Sequence, residues 1–465
     1  QPMSSYLVAL VIGKYNKIIE YSKSGVPLEM YYYPEDSLKV EPTYRYTRQM
    51  FDFLEEEIGF PYPWQNYKQI PVHDFLYGGM ENTSATIFTD AYVVDDVAFI
   101  DKNYVNVNAH ELANQWFGDL VTAKSGEHHW LQEGFATYYA LLAEKEVFGT
   151  NYFYWKLFEY AQELQLQDNK GKGTSLLNPK SSSTTFYKKG AFALYILREY
   201  VGDIVFKQAV KNYLIKHQYK NVTTEDFLSE VSALSGEDLK EYVSVWLEGS
   251  VFPYDGVLDH LSHKSKQISS YLIIDCEAMS SKCLDYLNPD FSHQVQSKVI
   301  SQISDKIPSQ AFITNDIKVR QALAIHITRI PLNIKEEYES LLKDKSYITI
   351  EAALYNLWTN FKKDRHKYLD ETKNIIGFND KNIRILWLAL ALMTKDYNEE
   401  NKSDYISELV SYTGSEYNFQ VRQNAFSYLK MINACDEECK ENLEEATKHH
   451  NWRLSKFAKQ MLGEF

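Results

Sequence analysis

The sequence is poor in three things, and each shortage narrows its class. Long apolar runs are missing: the longest in 465 residues, 385–393, falls far short of the ~20 residues a transmembrane helix needs. Basic residues are in deficit, 49 Lys and Arg against 63 Asp and Glu, for a formal charge of −14. A nucleic-acid partner calls for a basic surplus or stripe, so none is expected. Cysteines number only four, in two close pairs, Cys276 with Cys283 and Cys435 with Cys439. Neither pair is CxxC and the pairs are far apart, which argues against a four-cysteine zinc site. Two readings stay open: two small disulfides in an exported (periplasmic or extracellular) protein, or four free thiols in a cytoplasmic one. A signal peptide is also lacking. The chain opens on Gln1-Pro2-Met3 and runs into a strand-like stretch at 6–12, so it reads as a fragment of a longer precursor.

What is present is ordinary for a globular protein, with 45% hydrophobic and 24% charged residues, and the length suits two to four domains. Residues 1–13 read as the last strand of a domain otherwise absent. A helical pattern runs over 42–59 until Pro61-Tyr62-Pro63 stops it. Strands are expected at 69–77 and up to Phe88, with a turn at Gly78-Gly79 between them. Two strongly patterned helices follow at 104–117 and 130–147. A loop is expected at 168–183, then helices from Tyr187 to 247, and Phe252-Pro253 marks a boundary. Beyond 290 the pattern is helical and loosely repetitive. Val-Arg-Gln begins at 319, Ile-Arg-Ile at 383, Val-Arg-Gln at 421 and Trp-Arg-Leu at 452, offsets of 64, 38 and 31 residues. Such spacing suits helical pairs of a HEAT-like solenoid better than a generic bundle in which arginine recurs by accident.

The chemistry concentrates at 108–122. His110-Glu111 opens a zinc-helix pattern in which histidines at i and i+4 share a face and the Glu acts as base. Position 114, where the second histidine belongs, is Asn. After Asn114 eighteen residues pass before Glu133, within Trp130-Leu131-Gln132-Glu133-Gly134-Phe135-Ala136. A carboxylate on a neighbouring helix is what a zinc site needs to complete three protein ligands and leave a place for water. Upstream stands Gly78-Gly79-Met80-Glu81-Asn82, and downstream Tyr187-Lys188-Lys189-Gly190.

In these motifs the chain resembles the gluzincin aminopeptidases, the family of aminopeptidase N and the leukotriene hydrolase. Their hallmarks are GxMEN, HExxH-x18-E with WFGxxVT behind it, WLxEGFA and YxKG, and all stand here in order except at position 114. The resemblance covers residues 1–253 strongly. It implies a mostly α fold with a small mixed β part: a thermolysin-like catalytic domain at 14–253, then a HEAT-like α-helical domain at 254–465. Residues 1–13 become the remnant of an N-terminal β-domain of the same precursor.

The resemblance also implies roles. One zinc ion is held by His110, Glu133 and position 114; Glu111 is the general base; Tyr187 donates to the oxyanion. Gly78, Gly79 and Met80 pair with the substrate backbone and Glu81 grips its free α-ammonium, so the expected partners are peptides with a free N-terminus. Trp116, Phe117, Trp130 and Phe135 are expected to pack the two helices together, and Lys188 and Lys189 to be solvated. An amide carbonyl is a weak ligand where zinc favours imidazole, so Asn114 should impair zinc binding. Intact Glu111 and Tyr187 favour a recent or engineered loss of that histidine over a long-dead enzyme. His129 lies four residues before Glu133 on the same helix face and offers a substitute ligand. The matching family position is usually bulky, apolar and packed inward, which favours packing; His128 reads as a surface residue or an outer neighbour. Three functions follow: a zinc aminopeptidase impaired at one ligand, a catalytically silent peptide-binding scaffold, and, as a minor option, epoxide hydrolysis.

Overall fold

A computed structural model describes residues 2–463, which divide into two compact units. One comprises the chain up to Val72, Tyr77–Thr89 and Tyr104–Ser269; the other comprises His73–Leu76, Asp90–Asn103 and the chain from Ser270 onward. The fold is mostly helical with a small mixed sheet. No helix among the described residues is long and apolar enough to cross a membrane.

The first unit carries a five-stranded sheet of β1 (Asn16–Tyr21), β2 (Pro27–Tyr32), β3 (Tyr67–Val72), β4 (Gly79–Met80) and β5 (Ala85–Thr89), in the order β1-β2-β3-β5-β4. The central pairs β2/β3 and β3/β5 are parallel, with Lys68 opposite Ala85 and Val72 opposite Thr89; the outer pairs are antiparallel. Period-two alternation buries Leu28 and Met30 on β2, and Tyr67 and Gln69 on β3. Two-residue β4 is an edge strand, so one side of its backbone is free to pair. Gly79 thus sits in a strand rather than in the expected turn.

The helices of this unit include α1 (Thr47–Ile58), α2 (Val105–Asn114), α3 (Trp130–Phe148), α4 (Thr150–Asn169) and α5 (Gly190–Val201). Every residue of α3 from Trp130 to Glu144 is buried, the mark of a helix enclosed on all sides. Its aromatic packing includes Phe117 stacked on Phe135 at 4.5 Å. A two-stranded parallel sheet, Val121–Ala123 with Lys220–Val222, interrupts the stretch after Tyr187 that reads as helical throughout. The strand expected at 6–12 is also absent. Ser5–Leu7 forms a single 3-10 turn, and Val8, Leu10 and Ile12 stand 67%, 83% and 87% exposed. The run is apolar at every position, including Leu7, Ala9 and Val11, but no ladder forms on it among the described residues.

In the second unit, helices Ile317–His326, Asn382–Met393 and Phe419–Met431 begin at the recurring motif. The recurrence of arginine has a structural cause. Arg320 pairs with Asp344, Arg384 with Glu408 and Arg422 with Glu445, partners 24, 24 and 23 residues downstream. Each guanidinium also donates to a carbonyl upstream: Phe312, Lys373 and Thr413 respectively. At these three of the four motif positions the arginine is therefore a stitch between helices, made the same way each time. Cys276–Cys283 and Cys435–Cys439 are disulfides, each with Cα atoms 5.3 Å apart.

Candidate metal and peptide site

The motif residues converge on one cavity of the first unit, ≈ 950 Å³ in volume. Its lining includes Gly78, Gly79, Met80, Glu81, His110, Glu111, Asn114, Glu133 and Tyr187, every site residue that the motifs single out. His110 and Asn114 share the inner face of α2, and Glu133 faces them from α3. His110 Nε2 lies 3.1 Å from Glu133 Oε2, and the Tyr187 ring stacks on the His110 ring at 5.2 Å, 4° from parallel.

Close approach explains the glycines of the motifs. A Cβ on Gly79 would lie 2.5 Å from Glu111 Oε1, so the absence of a side chain lets β4 rest directly on this carboxylate. A Cβ on Gly190 would lie 2.8 Å from the Gly134 Cα. The glycines after Glu133 and after Tyr187 are thus the contact point of α3 and α5, and they set the separation of those two functional side chains. Tyr187 itself lies in a single π-helical turn, Thr184–Lys189, a local irregularity frequent at functional sites.

The cavity is rich in carboxylates. Burial, together with Glu81 and Glu133, pushes the Glu111 carboxyl well above its ordinary range. Burial and the Glu133 charge also raise Glu81. Burial pushes Glu133 up as well, but the hydrogen bond and charge of His110, the charge of His129 and a contribution from Tyr187 outweigh it, and Glu133 titrates below its ordinary value. Burial and the same carboxylates raise the Tyr187 phenol, which therefore stays a donor. Among the described residues, Glu111 Oε2 and Asn114 Oδ1 are buried without a hydrogen-bond partner.

Several contributors are not legible in the motifs. Tyr6 donates to Glu81 Oε1 at 3.3 Å and accepts from Gln132 Nε2 at 3.0 Å, while Gln132 Oε1 accepts from the Ala123 N–H. Gln115 Oε1 accepts from the Ser84 N–H, and its amide donates to the Glu81 carbonyl, tying the end of α2 to the segment after β4. Asn82 donates to the Leu7 carbonyl. Only proximity to a motif marks Gln115 and Gln132 in the sequence, and nothing there points to Tyr6. His129 is not packed inward: its side chain is 37% exposed, lines the cavity and places Nε2 3.5 Å from Glu133 Oε1. His128 points elsewhere, with Nδ1 3.1 Å from Thr224 Oγ1. Lys189 is buried rather than solvated. It donates to the Gly249 and Thr174 carbonyls, and burial lowers its pKa to about 8.

Among the described residues, the one trio of His, Cys, Asp or Glu side chains whose ligand atoms all lie within 4.8 Å is elsewhere: Asp74, His449 and His450 in the second unit. There His449 Nδ1 accepts from the Asn451 N–H, so the neutral ring carries its proton on Nε2, 3.4 Å from Asp74 Oδ2. That histidine ties the two segments together by hydrogen bonds.

The motif residues thus meet in one cavity of this fold. Residues 43–246 match the peptidase family M1 domain. Aminopeptidase N of Streptomyces lividans is 33% identical over 267 residues, 53% of this chain and 31% of that protein. Human endoplasmic reticulum aminopeptidase 1 is 31% identical over 248 residues, 51% of this chain and 26% of that protein. The chain therefore matches about a third or less of these relatives' length. The solved structure of yeast LTA4 hydrolase in complex with bestatin aligns over 97% of this chain and 67% of that one, with a TM-score of 0.55 and 17% identity, a likeness of fold.

Proposed function

We propose that the chain carries a zinc aminopeptidase site that releases N-terminal residues from peptides and is impaired by Asn at position 114. The observation that carries this reading is the convergence of Glu81, Glu111, Glu133, His110 and Tyr187 on one cavity beside an edge strand. The donor set suits a cation. An imidazole nitrogen meets a carboxylate kept ionised, and two further buried oxygens, on Glu111 and Asn114, are without partners among the described residues. His110 and Glu133 would hold zinc, with Asn114 as a weak third contact. Zinc supplies Lewis-acid chemistry, making water acidic near neutral pH and polarising a carbonyl.

The remaining steps belong to the chain. Glu111, which lines the cavity beside His110 and Glu133, takes the proton of the attacking water and passes it to the leaving amine. Tyr187, kept protonated, donates to the oxyanion. The free edge of β4 pairs with the peptide backbone as an added strand. Glu81, held by Tyr6, receives the α-ammonium. An anionic anchor at the amine fixes the register so that only the first residue is cleaved.

We further propose that the thermolysin-like domain spans 14–253 and the HEAT-like domain 254–465. The exposed side chains of Val8, Leu10 and Ile12 would pack against a β-rich domain of the same precursor. The two disulfides favour an exported protein over a cytoplasmic one.

Asn114 itself favours a second reading, a silent peptide-binding scaffold. One experiment separates the two: zinc content by plasma mass spectrometry and cleavage of aminoacyl arylamides, on the parent chain and on Asn114→His. Stoichiometric zinc and turnover in the histidine form support the peptidase. Stoichiometric zinc without turnover, with retained peptide binding, refutes it in favour of the scaffold.

A further inference from the structure

We propose that His129 supplies the second imidazole of the metal site, in the place left by Asn114. The inference rests on the zinc reading above and concerns which side chains hold the ion.

The Glu133 carboxylate is flanked on both sides. Its Oε2 faces His110 Nε2 at 3.1 Å and its Oε1 faces His129 Nε2 at 3.5 Å. Two imidazole nitrogens directed at the two oxygens of one buried carboxylate form a cation-binding arrangement that the family motif does not describe. Zinc binds imidazole nitrogen far better than amide oxygen, so with Asn at 114 the better available donor is His129. Its position suits a ligand, since it immediately precedes α3, one turn before Glu133 and on the same face.

His129 is also available. Among the described residues its side chain makes one polar contact, to Glu133, and one ring contact, edge-on to Phe186 at 5.0 Å. His128, by contrast, is occupied: its Nδ1 meets both the hydroxyl and the N–H of Thr224. His110, Glu133 and His129 are not among the groups whose ligand atoms all lie within 4.8 Å. Closing the set therefore requires movement of an imidazole, and the His129 side chain, 37% exposed against 11% for His110, is the less confined of the two.

The test is made on the chain as it stands, with zinc as the probe. Zinc affinity is measured by competition with a chromophoric chelator for the parent, His129→Ala, His128→Ala and Asn114→Ala, each checked for folding by circular dichroism. His129→Ala is expected to weaken zinc by more than the ~10–100-fold that loss of an outer-shell partner costs. His128→Ala should leave affinity within about threefold, and Asn114→Ala should cost less than His129→Ala. Zinc-edge X-ray absorption on the unmutated protein, which does not depend on a variant folding, should count two imidazoles per metal. One imidazole per zinc, unchanged affinity in His129→Ala, or no stoichiometric zinc in the parent would each overturn the proposal. Failure of the peptidase reading is seen separately, as a zinc-loaded Asn114→His form that cleaves no aminoacyl arylamide.

Discussion

Replacing Gly190 by Ala tests how the two halves of the site are held in register. Both Gly190 and Gly134 sit in helix, Gly190 at φ −60°, ψ −44°, so Ala is conformationally acceptable at either. Intrinsic propensity alone would make each change stabilising by ~0.8–1 kcal/mol. Packing opposes it. The new methyl at Gly190 would lie 2.8 Å from the Gly134 Cα, whereas relaxed carbon contacts are ~3.5–4.0 Å. The helices would therefore have to part by roughly 0.7–1.2 Å. The obstacle is backbone, and no rotamer relieves it. Overpacking of this kind costs ~1–3 kcal/mol, so the net expectation is a loss of about 1 kcal/mol for each single variant. Urea unfolding followed by tryptophan fluorescence reads this as a lower midpoint at constant slope. Because Glu133 adjoins Gly134 and Tyr187 is three residues before Gly190, the same parting should lower kcat in the zinc-loaded Asn114→His background. A gain of about 1 kcal/mol in both single variants, with kcat unchanged, would refute the idea that this contact sets the spacing.

In the same Asn114→His background, Tyr187→Phe should lower kcat by ~10²–10³ with KM little changed, as for loss of an oxyanion donor; steady-state kinetics with an aminoacyl arylamide checks this. Arg422 is wholly buried and bonded to the Thr413 and Asn442 carbonyls and to Glu445. Arg422→Met should cost about 2–4 kcal/mol in urea unfolding, and Arg422→Lys should not rescue it, because an ammonium cannot reproduce the fork. Glu339 and Glu408 titrate below the ordinary glutamate value of 4.5: burial raises each, but hydrogen bonds from Lys367 and Tyr368, and from Arg384 and Tyr412, outweigh it. Their contribution to stability is therefore complete above pH 4.5 and is lost as pH falls through the depressed folded values. Thermal melts between pH 3 and 6 should show a slope that the Glu339→Gln/Glu408→Gln variant flattens.

The limits of sequence reading are visible in particular residues. Residues 6–12 are an unbroken apolar run such as strands use, yet form none, because composition specifies burial and not a partner. Lys189 reads as solvated because its motif carries no burial signal; the carbonyls it serves belong to residues 174 and 249. The arginines at 320, 384 and 422 are legible as a repeat, but the carboxylates that give the repeat its purpose lie 23 or 24 residues away and share no motif.

Chemistry that is local in the chain needs no knowledge of the packing. His110 and Asn114 share a face because they lie one helical turn apart, and Glu133 sits on the next patterned helix. Backbone geometry alone dictates these placements. Whatever depends on segments distant in sequence is fixed only when the chain folds. Tyr6 reaches Gln132, 126 residues on, and through that link steadies Glu81. Gly134 meets Gly190, and His128 and His129, adjacent and chemically identical, are sent to Thr224 and to Glu133. Only packing distinguishes such neighbours, because a side chain's chemistry depends on which groups surround it, and helical periodicity does not name them.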